Sequence, residues 1–248
     1  MFSASAVAQA QSEITPNRDD IIRLLGQIPD VAPIREELQE LGYEGENLDL
    51  AVAQAELVYR DPVLAGFIAD QVIVAFLEPE RVGEAGGLLW PLVERGLGHL
   101  PTRELRFYYR VERSLIGGLP RQACGRAIRN RLPPERFAEL ITRAAARLNT
   151  SGLREYYRIQ AKAARLGVER MPVQFTRERA VATEDNINTR LRASIEASDN
   201  PAPLLRALDD LDNASNRQAC TIGKLFLDTV LTMQGREGRD ALIYMSLP

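Results

Sequence analysis

The stretch LPTRELRFYYRV, residues 100–111, decides how this sequence is read. A threonine suited to a helix start comes first. Leu105, Tyr108 and Tyr109 then follow at the three- and four-residue spacing of one α-helical face. The stretch recurs 48 residues later as LNTSGLREYYRI, residues 148–159, with threonine, leucine, arginines and the tyrosine pair in register. The tetrapeptide RQAC occurs at 121–124 and again at 217–220, an offset of 96, twice the first. A period of this length belongs to repeats of two or three helices, so a 48-residue helical repeat is expected.

Outward from residue 100 the chain carries the same grammar. Thr15-Pro16 followed by Asp19 and Asp20, Asp61-Pro62, Pro133-Pro134 and Asn200-Pro201 are helix starts, and Gly117-Gly118, Gly167 and Gly235 are stops. Thr102, Thr150 or Ser151, and Asn216 are expected as caps, and Asn47 or Asp49 opens a further helix. Residues 171–183 lack a clear period and read as a linker, with Thr183 or Asp185 opening the next helix. Ala241 to Leu247 reads as a short strand or a docked apolar tail. The expectation is an all-α fold, a multi-helix array or bundle of about ten helices.

Apolar residues make up 45% of the 248 and charged residues 26%, which rules out global disorder and allows a sizeable core. No apolar run approaches the length of a membrane span. Of the 31 basic residues only Lys162 and Lys224 are lysines. A GC-rich, bacterial coding bias produces this, and selection for planar guanidinium contacts is the alternative. The net charge of −3 conceals an asymmetry: −11 over 1–99, +10 over 100–170 and −2 over 171–248. The basic middle either meets an anionic partner or faces the acidic first third. The division that follows is a tail or signal-peptide remnant over 1–14, an acidic helical subdomain over 15–99, and a helical subdomain over 100–248 whose segment 100–170 is basic.

The opening MFSASAVAQAQ is small, apolar and uncharged, and its Ala8-Gln9-Ala10 resembles a signal-peptide cleavage site. It favours a periplasmic or otherwise exported location over a cytoplasmic one. Export would let Cys124 and Cys220 form a disulfide; two buried thiols are the alternative. One histidine and two cysteines leave no metal-ligand set, and no metal or cofactor is expected. His99 sits in a glycine-rich turn with no second histidine to work with. Gly83–Gly87 is not a phosphate-binding loop, and Asp209-Asp210-x-Asp212 lacks the rest of a calcium loop.

The remaining constellation is arginine beside tyrosine. Arg106, Tyr109, Arg110 and Arg113 share one helix face, and Arg154, Tyr157 and Arg158 repeat the pattern. Such a face can stack on bases or grip phosphates and carboxylates. It can equally be core tyrosine with arginine paired to the acidic third. The function expected is a non-catalytic helical interaction or scaffold protein that binds a protein partner or itself. A nucleic-acid-binding module using 100–170 is the alternative, and an enzyme without a short motif is the second.

Overall fold

The computed structural model describes residues 17–27, 32–77 and 89–247. The N-terminal tail, the Thr15-Pro16 start and the 83–87 glycines lie outside these residues. Among the described residues there are thirteen α-helices and no strand. They are α1 (Arg18–Gly26), α2 (Ala32–Glu40), α3 (Gly45–Arg60), α4 (Pro62–Leu77), α5 (Leu89–Leu97), α6 (Thr102–Gly118) and α7 (Arg121–Ile128). Then come α8 (Pro134–Ala145), α9 (Thr150–Glu169), α10 (Arg177–Glu196), α11 (Pro201–Asp209), α12 (Asn216–Thr232) and α13 (Gly235–Tyr244).

The all-helical reading holds, with more and shorter helices than the expected ten. Segment 241–247 is not a strand. Its first residues belong to α13, whose Ala241, Leu242 and Ile243 are buried. The linker read over 171–183 shrinks to 171–176, because Thr176 already caps α10 by accepting from the Arg179 amide. Other caps move by a residue. Asn149 rather than Thr150 caps α9, and a Ser215/Gln218 capping box rather than Asn216 starts α12. Thr102 lies inside α6, where its hydroxyl accepts from Arg239 at 2.8 Å. Asn47 lies in the first turn of α3 and donates to the carbonyls of Ala146 and Leu148. In each case a side chain one place away, or a tertiary partner, takes the job that local sequence assigned.

Helix α9 is the axle. It packs against α3, α4, α5 and α6, most extensively along α5. Two glycines permit that contact: a Cβ on Gly96 would lie 1.7 Å from the Ala163 carbonyl oxygen, and one on Gly167 would lie 2.0 Å from that of Leu92. The two backbones therefore meet with no side chain between them. The main core joins Tyr43, Leu48 and Leu64 from the acidic third to Leu105, Tyr108 and Ile159, and on to Val230 and Leu242. It runs without a break across residue 100.

The recurring stretch matches where it was read and not beyond. Leu105 and Leu153 are both fully buried, and Tyr108 and Tyr156 nearly so. After α6 the chain makes two short helices before residue 148, however, and after α9 it makes only the long α10. The 48-residue spacing is thus not repeated as an architectural unit. The RQAC copies have another relationship: they begin α7 and α12 and are joined by a Cys124–Cys220 disulfide with Cα atoms 5.2 Å apart. Gly125 packs directly on the backbone of Asn216 beside it.

Candidate functional site

Helix α6 buries one stripe: Leu105, Tyr108, Tyr109, Leu115 and Ile116 recur at helical spacing. Glu112 falls inside that stripe. Together with Tyr108, Tyr109 and Ile116 it forms one wall of a cavity of about 830 Å³. Helix α5 supplies Trp90, Glu94 and Arg95; α10 supplies Asn188 and Leu191; α12 supplies Phe226 and Leu227; and Met245, Ser246 and Leu247 line it from the C-terminal end. The walls are mostly apolar. Trp90, the one tryptophan of the chain, is half exposed, and its indole N–H donates to Glu94 at 2.8 Å.

The Glu112 carboxyl is partly buried and belongs to the cavity lining. It accepts a hydrogen bond from the Tyr156 hydroxyl. Burial pushes its pKa above the usual carboxylate range, and the Tyr156 and Tyr108 hydroxyls, which favour the anion, recover only part of that cost. The same burial, followed by the nearby Glu112 charge, raises the phenol pKa values of Tyr108, Tyr109 and Tyr156. All three therefore stay protonated and can donate. The Tyr109 hydroxyl is buried and has no hydrogen-bond partner among the described residues. The neighbouring Ser246 hydroxyl gives its own proton to the Ile243 carbonyl. An unsatisfied buried hydroxyl of this kind costs about 1–3 kcal/mol.

Of the arginine–tyrosine set, the structure brings Tyr109 to this cavity and distributes the others. Arg106 donates to the Leu231 and Met233 carbonyls, neutralising the negative end of α12. Arg113 forms a two-pronged pair with Asp228, at 2.9 and 2.8 Å. Arg154 pairs with Glu46 of α3, and the Tyr157 hydroxyl meets that of Tyr43 at 3.0 Å. Arg158 pairs with Glu104 and Glu155, and Lys162 with Glu104 at 2.7 Å. Arg110 is exposed and makes no ion pair among the described residues. Much of the basic segment thus serves as internal cross-links, several of them to the acidic third.

His99 is bonded to the Met171 carbonyl, and Asp209 and Asp212 pair with Arg192 and Arg131. No group of acids, histidines and cysteines that could hold a metal ion occurs among the described residues. None of the helices described is long and apolar enough to cross a membrane.

Sequence reasoning passed over Glu112 because acids on helices are usually solvated. The available signal was periodicity: Glu112 lies three residues from Tyr109 and four from Tyr108, on the stripe the tyrosines define. Comparison with family models, with curated proteins and with solved structures finds no match to this chain, so its chemistry is argued from the cavity itself.

Proposed function

We propose that this chain is a non-catalytic helical binding protein of an oxidising, extracytoplasmic compartment, and that it holds a small molecule in the cavity between α5, α6, α10 and α12. The observation that carries the proposal is the cavity of about 830 Å³, mostly apolar, with two carboxyls, Glu94 and the partly buried Glu112, in its lining. Small-molecule sites have this size and this composition of greasy walls with few polar groups. The Cys124–Cys220 disulfide supports the compartment, since such bonds persist where thiols are not kept reduced.

Trp90 makes the test direct. Nile red, a neutral apolar dye, should bind saturably, gain fluorescence and quench Trp90. A titration with no saturable signal and no Trp90 response removes the proposal.

The arginine-based nucleic-acid reading has less to stand on, because Arg106, Arg113, Arg154 and Arg158 are occupied within the fold. A raised carboxyl in a cavity also has the character of a general acid, so the enzyme alternative keeps one candidate residue, Glu112. Self-association is the second reading. It is favoured by the exposed Val72, Val74, Phe76 and Leu77 at the end of α4. Sedimentation over a range of protein concentrations tests it, and a monomer throughout would end it.

A further inference from the structure

We propose that the cavity selects a primary ammonium group carried on an apolar body, with Glu112 as its counter-ion. This rests on the binding reading above and specifies the ligand.

Charge is distributed unevenly along the cavity. Among the described residues its lining carries one cation, Arg95, and two carboxyls, Glu94 and Glu112; Arg95 and Glu94 are exposed, whereas Glu112 is partly buried on α6. A ligand carboxylate would find its partner at the rim and leave its apolar body outside. A ligand ammonium finds its partner in the less exposed Glu112, with its body against Leu191, Phe226 and Leu227. A carboxylate accepts hydrogen bonds only, which matches the donors of an ammonium.

The experiment is calorimetric titration of the full chain with four probes that share one alkyl tail: n-octylamine, octyltrimethylammonium, 1-octanol and octanoate. Octylamine should bind about tenfold or more tightly than octanol, octyltrimethylammonium should fall between them, and octanoate should be weakest. In Glu112→Gln the preference for octylamine over octanol should collapse by about tenfold. Should that variant fail to fold, the ranking in the unaltered chain still decides. Octanol or octanoate binding as well as octylamine overturns the ammonium assignment and leaves the binding reading standing. No binding of any probe, together with no Nile red signal, overturns both. A quaternary head group that binds as well as the primary one overturns the hydrogen-bond acceptor role given to Glu112.

Discussion

Tyr108 and Tyr156 stack in the core with ring centroids 5.4 Å apart and planes 22° from parallel, one from each copy of the recurring stretch. Their partnership is what the repetition produces in three dimensions. Helices α6 and α9 each contribute one ring to the stack, and the Tyr156 hydroxyl donates to Glu112. The pair lies in the core and also bounds the cavity, since Tyr108 lines it. Fold and candidate site therefore share side chains, and changes at one should be felt at the other.

The first prediction concerns pH. The Glu112 pKa is raised in the folded state, chiefly by burial. Folding therefore takes up protons relative to the unfolded chain in the window between the ordinary glutamate pKa and the raised folded value. The stability this group contributes is full below that window and is lost as pH rises through it. Glu112→Gln, which can still accept from Tyr156, removes that loss. Urea midpoints should show the variant gaining on the unaltered protein as pH rises from about 4 to about 8, upward from the ordinary glutamate pKa of about 4.3. A difference that stays constant with pH, or moves the other way, refutes the assignment.

Tyr156→Phe tests the same contact from the other side. It deletes one hydroxyl and keeps the stacked ring. The loss of a hydrogen bond to a carboxyl should cost about 1.5–3 kcal/mol in urea unfolding. The Glu112 pKa should rise further, because the hydroxyl that favours its anion is gone. Carboxyl resonances followed by NMR over pH would show this. A lowered value would mean that the hydroxyl is not the donor.

Much of the fold was legible because proline, glycine and capping residues punctuate this chain densely. Asp61-Pro62, Pro133-Pro134 and Asn200-Pro201 each open a helix where expected. The errors are of one kind. Thr102, Asn47 and Asn216 have side chains whose local role as caps competes with distant partners, and the distant partners are invisible in one dimension. The same holds for the arginines. Sequence shows a cationic face on α6 and α9, and only the folded chain shows Asp228, Glu46 and the α12 carbonyls waiting for it. The helix count fell short at the C-terminal end, where Gly235 reads as a stop and instead opens α13. Glu112 was legible in principle, since the buried stripe of α6 passes through it.

The disulfide should matter more than its exposure suggests. Cys124 and Cys220 are buried, and they close a separation of 96 residues between α7 and α12. Cross-linking a loop of that length restricts the unfolded chain by about 4–5 kcal/mol in the entropic account. Because α12 carries Phe226 and Leu227 into the cavity, opening the bond should also loosen the site. A Cys124→Ala/Cys220→Ala variant should melt well below the oxidised protein and bind Nile red less tightly. Equal melting with and without reductant would show that the bond contributes nothing.

The glycine contact between α5 and α9 should tolerate no side chain. A Cβ at Gly96 or Gly167 overlaps a backbone carbonyl, which cannot swing aside as a flexible side chain would. Gly167→Ala should therefore cost about 3 kcal/mol or more, at the upper end of overpacking. It should also displace Trp90 and Glu94, since both are carried on α5. The check is a urea melt paired with Trp90 fluorescence. An unaltered melt would mean that the helices cross farther apart than described. Gly26→Ala, where no described residue lies within 4 Å of the added carbon, is the control and should be near neutral.

Asp61 and Arg165 offer a graded test of how α4 is tied to α9. The Asp61 side chain has no exposed surface, whereas that of Arg165 is 51% exposed, so the two ends of this ion pair are not equivalent. Asp61 also accepts from the Val63 and Leu64 amides at 2.9 and 3.1 Å, capping α4. Asp61→Asn keeps the capping oxygen and lets the half-exposed guanidinium turn to water, so it should cost about 1 kcal/mol. Arg165→Ala removes the group that compensates a buried carboxylate, and should cost about 2–3 kcal/mol even with the two amides still in place. Asp61→Ala loses cap and pair together but leaves no buried charge, so it should fall between the two. Urea unfolding near neutral pH orders them. If Asp61→Asn proves the most damaging of the three, the buried carboxylate is held by something other than Arg165.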